Sequence, residues 1–127
     1  MCYSKENSQL KFADAFRECQ KYLGSLAEVQ DEKVQNFIKD QFVDLAVYIG
    51  LNDIFIEGDF RWIGSEEKLG WYANWGPGQP ADEFYFKDED CVQILGSGDW
   101  NDVTCDFVFS SVCETNRITQ GQRKTKH

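Results

Sequence analysis

The chain has 127 residues, 42% of them hydrophobic and 15% aromatic, and carries a net charge of −9. Length and composition give one globular domain and exclude a disordered chain. The acidic excess works against nucleic acid and anionic membranes as partners, and no apolar run approaches the roughly 20 residues that span a bilayer, which argues against direct membrane insertion.

In chain order, Phe12, Ala15, Phe16, Cys19 and Leu23 recur at helical spacing and predict a first helix, with Gly24 as its stop. Val34, Phe37, Ile38 and Phe42 predict a second, with Asp31 and Glu32 early in the segment, where the helix dipole favours acids. Glu28, Asp31 and Glu32 otherwise read as acids of a solvated surface. Short apolar stretches at 46–51, 60–63, 91–95 and 107–113 predict strands. From 64 to 90 the chain is rich in Gly, Pro, Asn and Trp without regular periodicity, and a loop that long in a compact domain is usually functional. Trp62, Trp71, Tyr72 and Trp75 read as core and loop packing. Two helices followed by strands and a large loop make an α+β plan. Residues 1–115 form the domain, which reads as a mature or excised segment; 116–127, with Arg117, Arg123, Lys124, Lys126 and His127, reads as a flexible basic tail.

The chemistry concentrates at 79–102. Seven carboxylates (Asp82, Glu83, Asp88, Glu89, Asp90, Asp99 and Asp102) share that stretch with one base, Lys87. Like charges so crowded raise one another's pKa unless a cation settles among them. Carboxylates with the amide oxygens of Gln79 and Asn101 form a hard donor set that suits Ca2+ and not zinc or copper. Five cysteines, at 2, 19, 91, 105 and 113, point to an oxidising, extracytoplasmic setting; four of them make two disulfides, and spacing leaves all three connectivities open. The only histidine is terminal and no Ser-His or Cys-His arrangement is present, so an enzyme is not expected.

Several ordered pieces carry a resemblance: Phe12-Ala13-Asp14-Ala15 leading to Cys19, Leu26-Ala27, Tyr48-Ile49-Gly50-Leu51 followed by Asp53, and Glu57-Gly58 before Phe60 and Trp62. Asn74-Trp75, Gln79-Pro80, Glu89-Asp90-Cys91-Val92, Trp100-Asn101-Asp102, Cys105 and Val112-Cys113-Glu114 complete the series. In this order they make the chain resemble a C-type lectin-like domain from Cys2 to Glu114. The resemblance implies a fold of two helices flanking small antiparallel sheets with a long calcium-binding loop. It also implies the disulfides Cys19–Cys113 and Cys91–Cys105, worth roughly 4–5 and about 3 kcal/mol in a chain-entropy account. Cys2 is left over, and pairs either with a cysteine upstream of this chain or with another copy in a homodimer.

The family's principal calcium site, where sugar binds, carries over onto Gln79, Glu89, Asn101 and Asp102, and the Pro80 peptide is implied to be cis. In such a site each side chain contacts the metal with one polar atom and a sugar hydroxyl with the other. The triplet should end in Asn or Asp, but this chain has Ala81, which cannot ligate. Asp82 then has two readings: displaced by one place into the principal site, or kept as a ligand of the auxiliary site, which is the register preferred. The auxiliary site carries over onto Asp53, Glu57, Asp82, Glu89 and Asp90. Phe84-Tyr85-Phe86 lies in the same loop; Tyr85 is a candidate platform for the apolar face of a sugar, with loop packing or a dimer surface as the alternatives.

The function implied is a calcium-dependent carbohydrate-binding module of a secreted protein or of the extracellular part of a cell-surface protein. Gln79 tilts it toward galactose-like hexoses, and Ala81 weakens it. The alternative is a lectin-fold module that binds protein, mineral or ice, with calcium structural or absent.

Overall fold

The apolar run predicted at 46–51 becomes the middle of the molecule, β3 (Ala46–Asn52), every residue of which after Ala46 is buried. The computed structural model describes residues 1–80 and 90–115. Along the chain the elements are β1 (Cys2–Leu10), α1 (Phe12–Gln20), β2 (Gly24–Leu26), α2 (Glu32–Phe42), β3, β4 (Arg61–Trp62), β5 (Cys91–Leu95), β6 (Trp100–Val103) and β7 (Phe109–Thr115). The strands join in the order β1-β7-β3-β5-β6, with β2 on β7 and β4 on β3. All pairings are antiparallel except β3 with β7, where Val47 faces Ser110 and Tyr48 faces Ser111. The α+β class and the two-helix plan stand, with the strands joined in one hydrogen-bonded order. No helix among the described residues is long and apolar enough to cross a membrane.

Side chains alternate across β3, as strand geometry requires. Val47, Ile49 and Leu51 enter one core cluster with Ile38, Trp62, Val92, Ile94 and Trp100. Tyr48 enters another with Phe12, Ala15, Cys19 and Cys91. Its buried hydroxyl donates to the Phe107 carbonyl at 2.7 Å, so the ring is packed without stranding its polar atom.

Helix α1 ends at Gln20, earlier than the apolar spacing predicts, and the left-handed residue of the following turn is Leu23 (φ 64°), not Gly24. Gly24 serves another purpose. It opens β2 opposite Thr115, and a Cβ there would stand 2.2 Å from the Glu114 carbonyl oxygen. A glycine marks helix ends and close strand approaches with the same letter, so the sequence did not separate the two.

Helix α2 starts where predicted, but Asp31 is more than a solvated acid: its side chain accepts from the Val34 amide at 2.9 Å and caps the helix. Glu28 is also tied down, since its carboxylate accepts from the Ser65 amide at 3.0 Å and its own amide donates to Glu114 at 2.8 Å. Gln35 sits buried on the apolar face of α2. Its Nε2 donates to the Gly98 carbonyl at 2.6 Å and its Oε1 accepts from Trp100 Nε1 at 2.8 Å. That one amide fixes the helix to the β5–β6 hairpin on which the site is built.

Three strands had no predictable pattern. β1 is polar along most of its length and has no fully buried position. β2 has three residues, and β6 contains Asn101 and Asp102, both poor strand formers. Pairing decides these: Val92 faces Asp102 and Gln93 faces Asn101 in the β5–β6 ladder. Trp71 departs from expectation as well, being 86% exposed with its ring edge on Tyr72. Trp62 and Trp75 pack edge-on to Trp100 as expected.

Cys19–Cys113 and Cys91–Cys105 are the two disulfides, with Cα separations of 5.4 and 5.2 Å that suit the bond. The first ties α1 to β7 across 94 positions; the second holds the start of β5 to the chain beyond β6. Cys2 is a free, half-buried thiol on β1.

Candidate metal centre

Two neighbouring strand ends bring the first acids together. Asn52, the last residue of β3, pairs with Cys91, the first of β5, so Asp53 and Asp90 adjoin, and the Asp53 amide donates to the Asp90 carbonyl at 2.9 Å. The chain then curls. Buried Asn52 accepts from the Ile54 amide at 3.1 Å and donates to the Arg61 carbonyl at 3.2 Å, while the Gly58 amide donates to Asp53 Oδ2 at 2.9 Å. Gly58 has φ 85°, a conformation glycine adopts without penalty. The curl returns Glu57 to Asp53, and Asp53, Glu57 and Asp90 each offer a carboxylate oxygen within 4.8 Å of the others.

Three acids so placed are electrostatically unfavourable by themselves. Asp53 Oδ1 and Asp90 Oδ1 are buried without a hydrogen-bond partner among the described residues, and an orphaned buried carboxylate oxygen is costly. Burial above all, and then the Asp90 charge, push the Asp53 carboxyl up to about 6, against the downward pull of the Gly58 amide. A hard divalent cation would satisfy both orphaned oxygens and cancel the repulsion, and this all-oxygen donor set fits one.

The second predicted group meets in part. Residues 74–79 run beside the start of β6: the Trp100 amide donates to the Asn74 carbonyl at 2.8 Å and the Gly76 amide to the Trp100 carbonyl at 3.0 Å. Gln79 thereby reaches Asp102, whose amide donates to Gln79 Oε1 at 3.3 Å. The Gln79–Pro80 peptide is cis. Asn101 is half-buried and Asp102 buried in the middle of β6, so the structure brings Gln79 to Asp102, with Asn101 the preceding residue on the strand. Asp82, Tyr85 and Glu89 lie outside the described residues, and with them the question of which site Asp82 serves.

Sequence reasoning missed Asn52, which organises the 52–58 curl, and Gln35, which anchors Trp100 beside Asn101. Each carries a weak signal, a polar residue set on an otherwise apolar strand or helix face.

The model of the family described as Lectin C-type domain matches residues 8–115, most of the chain. The chain belongs to that family. As a C-type lectin domain it is 34% identical over 123 residues to the versican core protein of Homo sapiens, a match covering 95% of this chain and 4% of versican. It therefore spans a small part of the curated relatives it matches. Among solved structures it resembles the cow C-type carbohydrate-recognition domain of CD23, determined in the presence of a GlcNAc2Man3 oligosaccharide: TM-score 0.78, 34% identity, 88% of this chain and 84% of that one. It also resembles a calcium-independent type II antifreeze protein: TM-score 0.79, 25% identity, 88% and 83% coverage.

Proposed function

We propose that this C-type lectin domain is a calcium-dependent carbohydrate-binding module, non-catalytic, of a secreted or cell-surface protein. The observation that carries the reading is the pair of buried oxygens of Asp53 and Asp90, beside Glu57, that have no hydrogen-bond partner among the described residues. Asp53, Glu57 and Asp90, with Asp82 and Glu89, hold an auxiliary Ca2+ that neutralises the crowded acids and fixes the loop. Gln79, Glu89, Asn101 and Asp102 form the principal site. There each side chain spends one polar atom on the metal and leaves the other for a sugar hydroxyl. Tyr85 supplies an apolar face. Gln79 favours a galactose-like hexose, and Ala81, which offers no ligand atom, weakens both metal and sugar.

Calorimetric titration with calcium, followed by a panel of hexoses, tests this. Calcium heat followed by galactose heat, and elution from immobilised galactose by EDTA, are expected. Retention indifferent to EDTA, or absent for every hexose, ends the reading. Asp102→Ala lowers calcium and sugar affinity together while leaving both disulfides formed, and unaltered affinity removes Asp102 from the site.

Ala81 favours a second reading, a protein, mineral or ice ligand with calcium structural or absent. The likeness to the antifreeze protein is compatible with it. Calcium heat without sugar heat is its signature.

A further inference from the structure

Between α1 and the 52–66 segment lies a cavity of about 620 Å3, and none of its lining residues belongs to the carboxylate cluster or to the Gln79–Asp102 pair. Its size falls within the roughly 300–1,000 Å3 of small-molecule sites. Phe16 and Gln20, four apart on one face of α1, supply one part of the lining; Phe55, Arg61, Ile63 and Glu66 supply much of the rest.

The chemistry of this lining is mixed in a particular way. Phe55 leaves an aromatic side chain 75% exposed. Arg61 is held in place, its Nε donating to Asp59 at 3.1 Å and its Nη1 to the Glu66 carbonyl at 3.1 Å. That leaves the Nη2 donors without a partner among the described residues, as is the side-chain amide of Gln20. Glu66 has φ 66°, a left-handed conformation that a residue with a side chain seldom adopts, and is held there by its amide donating to the Trp62 carbonyl at 2.7 Å. That conformation closes the tight turn whose ends are joined by the Trp62 amide donating to the Glu67 carbonyl at 3.0 Å, and it fixes where Glu66 stands at the cavity rim.

We propose that this cavity is a second saccharide subsite, taking one or two neutral sugar residues. A pyranose has an apolar C–H face, which lies against Phe55, and a rim of hydroxyls, which accept from Arg61 Nη2 and Gln20 and donate to the Glu66 carboxylate. A purely apolar ligand would bury those polar groups unpaired. An anionic sugar would meet Glu66 and an arginine already paired with Asp59, so neutrality follows from charge. No ligand of the proposed Ca2+ lines the cavity, so this subsite does not rest on the calcium reading and is occupied in EDTA.

The test is amide NMR of the whole chain in EDTA, titrated with lactose, methyl α-mannoside and N-acetylglucosamine. At least one sugar is expected to shift the amides of Gln20, Phe55, Arg61 and Glu66. Phe55→Ala, at an exposed position that keeps the native spectrum, weakens that binding about tenfold, Gln20→Ala weakens it in the same direction, and Asn101→Ala leaves it unchanged. The proposal is overturned by no shift in this set with any of the three sugars, by shifts confined to residues 74–102, or by shifts that Phe55→Ala leaves intact. Loss of calcium-dependent retention alone bears on the other site and leaves these shifts in place.

Discussion

Asp53 concentrates the conflict on which the proposed function depends: an acid at the end of a buried strand, one oxygen satisfied by Gly58 and the other, beside Asp90, without a donor among the described residues. Asp53→Asn keeps the shape and the Gly58 bond but removes the charge. Two opposite effects are expected: calcium affinity falls at least tenfold, and the calcium-free protein melts higher than the parent because the carboxylate repulsion is gone. Calorimetry and thermal melts in EDTA read both, and a variant that melts lower in EDTA contradicts the account. Glu114 gives a pH prediction away from the site. Burial pushes its carboxyl up from an ordinary 4.5 to about 7, the Glu28 amide pulls it down, and the Glu28 charge adds a further upward push. The folded state therefore keeps a proton that the unfolded chain has released, so stability falls as pH rises from about 4.5 to about 7 and is flat above. With a discount for partial exposure the loss is on the order of 1 kcal/mol. In melts across the window, Glu114→Gln, whose Oε1 still accepts from Glu28, is expected to flatten the slope between about pH 6 and 7 and to leave below it the share that Asp53, raised to about 6, contributes with the same sign.

At the scale of elements, the site stands on the β5–β6 hairpin, and two devices hold the hairpin in place. One is the Cys91–Cys105 bridge, which closes 14 positions. Replacing both cysteines by alanine is expected to cost about 3 kcal/mol in urea unfolding and to weaken calcium binding as well; unchanged calcium affinity would show that the bridge serves stability alone. The other is α2, through Gln35. Its capping acid tests how much the helix contributes: Asp31→Ala is expected to cost about 1 kcal/mol with calcium affinity unaltered, since the cap lies in another element from the acids. Elements with a strong internal pattern were readable in advance. The stripe Val34, Ile38, Phe42 gave α2, and the run at 46–51 gave β3. β1, β2 and β6 were not readable, because an edge strand, a three-residue strand and a strand carrying Asn101 and Asp102 draw their order from partners distant in sequence.

Across the whole molecule, the proposed ion couples folding to binding. A ligand that binds only the native state stabilises it in proportion to the logarithm of its concentration, about 2.7 kcal/mol at a hundred times Kd. Calcium is thus expected to raise the melting temperature by several degrees, and EDTA to reverse it; identical melts with and without calcium would sink the metal reading. The sequence by itself determined the α+β class, because periodicity and residue type are local and survive without coordinates, and its ordered motifs carried the family; through that resemblance it nominated Asp53, Glu57, Gln79, Asp90, Asn101 and Asp102 as candidate ligands. Only the tertiary structure decided that Asp53, Glu57 and Asp90 converge, that two of their oxygens are orphaned, that Gln79 meets Asp102, and that Phe16 and Phe55 line one cavity. Those facts follow from strand register and loop curl, which bring together residues up to several dozen positions apart, and no short window of sequence records a distance of that kind.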